Sequence, residues 1–223
     1  MTKIIHQIFF EVGKYKRKDL SRTHPNWIKN MEVNKKLNPS YRHIWWSDKT
    51  AMAFVKKHYP QYLPMIRGFP HGFYFIDFFR YLVISKMGGI YIDMDVRCKR
   101  PLPNVDTILG IDYKGSINNN VIQLKPEDAD GLVEEAVESY NRVKRDNMWA
   151  GKPIRRLLYS VGASYFGKYC RRNKITSDVK FNKYFVDEVS QSWLDIDIGI
   201  VSKGHKYQKL SKEDIEKQAK LNR

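Results

Sequence analysis

Two acidic residues separated by one position, Asp93 and Asp95 in the stretch GGIYIDMDV, are the part of this sequence best suited to chemistry. In an extended chain, residues two apart point to the same side, so both carboxylates would aim at one point while Met94 faces away. Hard oxygen donors of this kind suit Mg2+ or Mn2+, which keep several waters and accept phosphate oxygens as further ligands. Such an ion acts as a Lewis acid on a departing phosphate group. Pattern alone does not single out this pair, because Asp195-Ile196-Asp197 repeats it without supporting context and reads as a strand edge. Position does, since Asp93 and Asp95 follow a glycine pair and a short apolar run, and open α/β sheets hold ligands beyond the carboxyl ends of their strands. Asp77 and Arg80 join them as two charges three apart on one face of an otherwise apolar segment. Burying either without a partner costs several kcal/mol, on the order of a lost ion pair, so they must pair with each other or with a group in a cleft.

The elements that must position these residues follow from apolar patterning. Residues 4–10 form a short apolar run bounded by polar segments, and residues 41–46 a second; both read as strands. Pro25 opens a helix carrying Trp27, Ile28, Met31 and Val33, and Ser47 caps a helix over 48–58. Residues 73–87 are apolar almost all round, which predicts a buried helix stopped by Gly88-Gly89, with a strand over 90–93 directly after it. Strands over 107–111 and 116–124 and a helix opened by Pro126 complete the readable part. Alternation of strands and helices predicts an α/β fold with a central mixed, mostly parallel sheet flanked by helices. Residues 1–210 are expected to form one domain, and 211–223 a basic C-terminal helix or tail.

Composition bounds the partners less tightly. With 40 Lys+Arg against 24 Asp+Glu, the chain carries a formal charge of +16, compatible with nucleic acid, an anionic membrane or an anionic small molecule. The cations are spread along the chain, with local clusters at 14–18 and at Arg171-Arg172. Two cysteines, Cys98 and Cys170, stand without metal-ligand spacing and fit a reducing compartment. No stretch approaches the roughly 20 apolar residues of a membrane span, and no leader precedes the first strand, so a soluble, unprocessed, cytoplasmic protein is the expectation.

Three blocks, Ile4-Ile5-His6-Gln7-Ile8-Phe9, Asp77-Phe78-Phe79-Arg80-Tyr81-Leu82 and Gly88-Gly89-Ile90-Tyr91-Ile92-Asp93-Met94-Asp95, resemble glycosyltransferase family 32 in order and approximate spacing. The same Asp…Arg…Asp-x-Asp arrangement is found in the glucosylating bacterial toxins, and the compact length is similar to glycosyltransferases of large algal viruses, which suggests a virus-encoded enzyme acting in a host cytoplasm. The resemblance implies a GT-A fold, a nucleotide-diphosphate sugar donor with UDP favoured, Mn2+ or Mg2+, and retention of anomeric configuration. Position by position, it places Ile5, His6, Gln7, Ile8 and Phe9 along the nucleoside, with Phe9 where the family has Trp. Asp77, Arg80 and Tyr81 fall at the donor sugar, Tyr91 beside the nucleotide, and Asp93 and Asp95 at the metal and the ribose or phosphate. Asn118, Asn119 and Asn120 resemble the family's Asn-containing segment near the sugar, equally readable as a polar turn; Ser160-Val161-Gly162-Ala163 resembles its Thr-Gly-Pro element with Ala163 in place of proline. His205, in Gly204-His205-Lys206, resembles the C-terminal metal-binding histidine of family 8 enzymes and is the expected third metal ligand, with Lys206 or Lys209 meeting the leaving phosphate.

The function expected from these residues is metal-dependent transfer of a hexose from a UDP-sugar to a hydroxyl of a glycan or glycoprotein acceptor. The alternatives are a basic nucleic-acid-binding protein, for which no binding motif is recognisable, and a metal-dependent phosphohydrolase, which calls for a second metal cluster.

Overall fold

The computed structural model describes residues 2–11, 24–112 and 114–188. Strand β1 (Ile4–Ile8) lies beside β2 (Arg42–Trp46) on one side and β3 (Ile90–Ile92) on the other, both parallel to it. Strand β6 (Ile117–Gln123) pairs antiparallel with β3, and β5 (Ile108–Ile111) antiparallel with β6, giving the sheet order β2-β1-β3-β6-β5. Four of these five strands therefore run in one direction and β6 runs against them, the mixed, mostly parallel sheet expected. A second, two-stranded sheet pairs β4 (Val96–Cys98) with β7 (Phe185–Asp187); neither strand was foreseen from the sequence.

Between β1 and β3 the chain makes helices α1 (Pro25–Leu37), α2 (Asp48–His58), the single turn α3 (Leu63–Arg67) and α4 (Gly72–Met87). Helix α2 begins where expected because Ser47 and Thr50 satisfy each other's backbone N–H: Thr50 N donates to Ser47 Oγ at 3.3 Å and Ser47 N to Thr50 Oγ1 at 2.9 Å. After β6 come α5 (Pro126–Ala129), α6 (Leu132–Arg145), α7 (Pro153–Ser160), α8 (Ala163–Arg172) and the turn α9 (Phe181–Tyr184). The helix opened by Pro126 is one turn only, because the chain breaks at Gly131 (φ 77°) before α6 starts.

The sheet is buried on both faces, and alternation along its strands assigns residues to each. Ile90 and Ile92 of β3 face one cluster with Ile5, Val96, Ile108, Val121 and Phe185. Tyr91 faces the other, with Leu109, Ile122 and the side of α4 made by Phe78, Tyr81 and Leu82. Helix α4 carries nine buried side chains and is wrapped by α2, α6 and α8, which is why its sequence is apolar nearly all round. It ends at Gly88 (φ 63°) and Gly89 (φ 82°), and a Cβ on Gly89 would lie 2.6 Å from the Ile4 carbonyl oxygen. Glycine there lets β3 drop in beside β1 without a gap.

Candidate functional site

Arg80 projects from α4 toward the end of β3 and binds three partners. Its Nη2 lies 3.3 Å from Asp77 Oδ1, and its Nη1 donates to Asp93 Oδ2 at 3.2 Å and to the Asn119 carbonyl at 2.8 Å. Its guanidinium also sits 4.9 Å from the centre of the Tyr91 ring. Burial works against the Arg80 charge, but Asp93, Tyr91 and Asp77 surround it and hold it firmly protonated. Three elements thus meet at one cation: α4, the end of β3 and β6.

The two carboxylates beside Arg80 are held differently. Asp77 Oδ1 also accepts from Asn119 Nδ2 at 3.0 Å, and the same amide reaches the Tyr81 hydroxyl at 3.2 Å. Burial raises the Asp77 carboxyl above its ordinary range, with Arg80 and Asn119 opposing. Asp93 accepts from the Tyr91 hydroxyl on its other oxygen. Burial pushes Asp93 up to about 7, Arg80 resists the shift, and the nearby Asp95 adds to it. Its side chain keeps 24% of its surface accessible, so this is a rim carboxylate rather than a core one.

The backbone around the acids is a turn, not the strand expected from their spacing. Strand β3 stops at Ile92; Asp93 N donates to the Asn120 carbonyl at 2.8 Å, and Val96 N returns to the Asp93 carbonyl at 3.0 Å. Asp93 and Asp95 are brought together by this tight turn instead of by strand alternation. Met94 is buried, as expected, against Phe9 in a cluster with Trp27, Ile28, Met31, Trp45 and Phe73. Outside the turn, Glu188 N, just after β7, donates to the Asp95 carbonyl at 3.0 Å, and Asn120 Nδ2 donates to Asp187 Oδ2 at 2.7 Å.

Helix α1 fixes the turn from below through a ladder of asparagines four residues apart, which sequence reading passed over. Asn30 Nδ2 donates to the Met94 carbonyl at 3.3 Å. Asn34 Nδ2 donates to the Val96 carbonyl at 3.1 Å, while its Oδ1 accepts from Cys98 N at 2.7 Å. Asn38 Oδ1 accepts from Leu102 N at 2.7 Å. All three are buried, so they act as a surrogate strand edge for β4. The signal was present as Asn at 30, 34 and 38 on one helix face, where solvent-exposed polar residues were the simpler assumption.

The first-strand residues sit deeper than a ligand-lining reading suggests. Ile5 and His6 are fully buried, and Gln7, Ile8 and Phe9 nearly so. His6 Nε2 donates to the Gly88 carbonyl at 3.0 Å and its Nδ1 accepts from Trp46 Nε1 at 3.1 Å, which fixes the neutral tautomer; burial lowers its pKa to about 4. His6 therefore ties the glycine turn to β2. The Tyr81 hydroxyl is likewise committed inward, donating to the Val161 carbonyl at 2.7 Å. Val161 leads into Gly162, where a Cβ would lie 3.2 Å from Asp77 Oδ2 and 2.9 Å from Leu158 Cα, so the glycine lets Asp77 rest against the end of α7. In β6, Asn119 and Asn120 are buried and Asn118 partly so. His205, Lys206 and Lys209, with residues 189–223 generally, lie outside the described residues.

The donor chemistry of the turn fits a divalent cation. Asp93 and Asp95 are hard oxygen donors close enough for the charge of one to raise the other, a repulsion that a bound cation reverses. No group of three or more His, Cys, Asp or Glu side chains with metal-binding geometry occurs among the described residues, so these would supply two protein ligands.

Comparison with known proteins finds similarity to glycosyltransferases. Residues 24–114 match the glycosyltransferase sugar-binding region containing DXD motif. The chain is 33% identical over 129 residues to mannosyl phosphorylinositol ceramide synthase CSH1 of Saccharomyces cerevisiae, covering 56% of this chain and 32% of that protein. It is 28% identical over 114 residues to the uncharacterized glycosyltransferase L373 of Acanthamoeba polyphaga mimivirus, covering 51% of this chain and 41% of that one. The solved PaToxG glycosyltransferase superposes with a TM-score of 0.49 at 15% identity, over 77% of this chain and 68% of its own. The chain thus spans about a third of the length of the yeast relative and under half of the viral one. The matched stretch, residues 24–114, is the one that supplies Asp77, Arg80, Asp93 and Asp95.

Proposed function

We propose that this chain transfers a hexose from a nucleotide-diphosphate sugar to a hydroxyl acceptor, with Asp93 and Asp95 holding Mn2+ or Mg2+. The observation that carries the reading is the single cluster in which Arg80 binds Asp77 and Asp93, both inside the matched region, and the Asn119 carbonyl just beyond it, beside the Asp93–Val96 turn. The ion, when bound, neutralises charge on the leaving diphosphate. Arg80 orients Asp93 toward the ion and Asp77 toward the donor sugar, whose hydroxyls a buried carboxylate is well placed to bind. Asn119 and Gly162 hold Asp77 in place from two sides. Trp27, Trp45 and Phe73, partly buried and packed against Phe9 and Met94, offer aromatic faces for the base. No protein nucleophile is assigned, and the reaction runs with retention by front-face attack.

The yeast relative's name specifies mannose and an inositol-phosphate lipid, which favours those as the transferred sugar and acceptor class here over a glycan or glycoprotein. UDP, favoured by family resemblance, and GDP are both to be tested as the donor nucleotide. The assay incubates the protein with Mn2+ and a panel of UDP- and GDP-sugars, with and without phosphoinositol lipids. Nucleotide release and donor-induced thermal stabilisation are the readouts, with Asp93→Asn and Asp95→Asn as controls. Turnover that survives both substitutions overturns the metal role, and a failure of every donor to bind or turn over overturns the transferase reading.

A further inference from the structure

We infer that the loop between α6 and α7 docks this protein on an anionic lipid surface. Met148, at 38% exposure, is the one large apolar side chain exposed among the described residues, and it stands at the tip of this loop. Its exposure is built in, because Met148 N donates to the Val143 carbonyl at 3.0 Å and Lys152 N to the Trp149 carbonyl at 2.8 Å, closing the loop at both ends. Three residues in five adopt left-handed backbone: Asn147 (φ 45°), Trp149 (φ 61°) and Gly151 (φ 69°). A bulky residue such as Trp149 is held there only when surrounding contacts impose it, and such strain concentrates at binding loops.

The flanks of the loop supply matching charge. Between 142 and 156 the cations Arg142, Lys144, Arg145, Lys152, Arg155 and Arg156 face one acid, Asp146, which Arg145 already pairs at 2.9 Å. Arg155 lies 5.3 Å from the Trp149 ring centre, Trp149 packs 5.1 Å from Tyr159 on α7, and Lys168 Nζ, from α8, sits 4.7 Å from the Tyr159 ring. Aromatic rings interleaved with cations around an exposed methionine is the composition that settles at a headgroup layer, where the rings span the apolar boundary and the cations meet lipid phosphates. A polyanion such as nucleic acid matches the cations but gives Met148 nothing to bury in.

The position also matters. Helix α7 runs from this loop to Val161 and Gly162, which abut Tyr81 and Asp77, so a surface held at the loop lies about one short helix, about 12 Å, from the candidate sugar site. Docking here would bring a lipid-linked hydroxyl within reach of that site, although the docking claim itself rests on the surface alone and stands whether or not the transferase reading does.

The test is co-sedimentation of the full chain with vesicles of phosphatidylcholine alone or with about 30 mol% phosphatidylserine. Binding is expected to anionic vesicles only, weakened about tenfold by Met148→Ser and about tenfold by the pair Lys152→Gln and Arg155→Gln, with unchanged circular dichroism. A second measurement uses Ala150→Cys carrying a polarity-sensitive dye, since Cys98 and Cys170 are both buried; its emission should shift to the blue on anionic vesicles. Absence of sedimentation, equal binding to neutral and anionic vesicles, or binding that Met148→Ser leaves intact while salt abolishes it would each overturn the proposal, the last pointing to a polyanion instead of a bilayer. None of these readouts depends on donor turnover.

Discussion

Arg80 and Asp93 meet at 3.2 Å across the gap between α4 and the end of β3, and this contact joins the helix that carries Asp77 to the turn that carries the acid pair. Removing the cation leaves Asp77 and Asp93 in low-dielectric surroundings with no positive partner. Arg80→Ala should therefore destabilise the fold by about 3–5 kcal/mol, read as a lowered urea midpoint, and should abolish donor-induced stabilisation. Arg80→Lys keeps the charge but loses the fork that serves Asp93 and Asp77 together, and should recover stability while leaving donor binding weak.

Asp93 predicts an unusual pH dependence. Its folded carboxyl lies at about 7 against an ordinary 3.8, so between those values the folded chain holds a proton that the unfolded chain releases. The stability this provides is complete below about pH 4 and is lost as pH rises through about 7. Cation-free protein should show a melting temperature that falls from pH 5 to pH 7.5. Mn2+ should raise it more at pH 7.5 than at pH 5, and Asp93→Asn should flatten both trends.

Gly162→Ala tests the contact between α7 and Asp77. The added methyl would press on the Leu158 backbone at 2.9 Å and on Asp77 Oδ2 at 3.2 Å. A loss of about 1–3 kcal/mol in stability is expected. Turnover should fall further than stability does, because the displaced carboxylate is one proposed to hold the donor sugar; equal kcat/KM for wild type and variant would show that Asp77 does not need this support.

Asn34→Ala removes the donor to Val96 and the acceptor for Cys98, leaving two buried backbone groups unpaired. The expected cost is about 2–4 kcal/mol by denaturant titration. Weaker Mn2+ binding should accompany it, since the turn between β3 and β4 loses part of its support. Asn34→Asp retains the acceptor and should fall between the two.

Sequence reading captured the helix–glycine–strand unit because each part has a local cause: an apolar run, a pair of glycines in left-handed backbone, and a short β-branched segment. Asp77 and Arg80 were legible as charges in an apolar helix, and their mutual contact is as direct as the spacing implied. The geometry of Asp93 and Asp95 was not, because spacing two apart cannot distinguish a strand from a tight turn, and the bond from Val96 N to the Asp93 carbonyl decides for the turn. His6 and Tyr81 were placed at the ligand by family resemblance, which shows polar atoms but not their partners; His6 is the satisfied, buried histidine its strand position suggested, and Gly88, Trp46 and Val161 take up the polar atoms of the two. Strands β4 and β7 are three residues each and owe their pairing to long-range contacts that no local pattern encodes.

The asparagine ladder of α1 grips the turn by the carbonyls of residues 94 and 96, not by the side chains there, and touches a side chain only at Cys98, whose sulfur accepts from Asn38 Nδ2. Backbone shape and side-chain identity are thereby uncoupled in the one turn where both matter. An apolar residue of different outline at position 94 would reshape the wall shared with Phe9 while the acids keep their places. Under the proposed transferase reading, donor preference is then free to drift by single substitutions without first dismantling the turn that carries the acids.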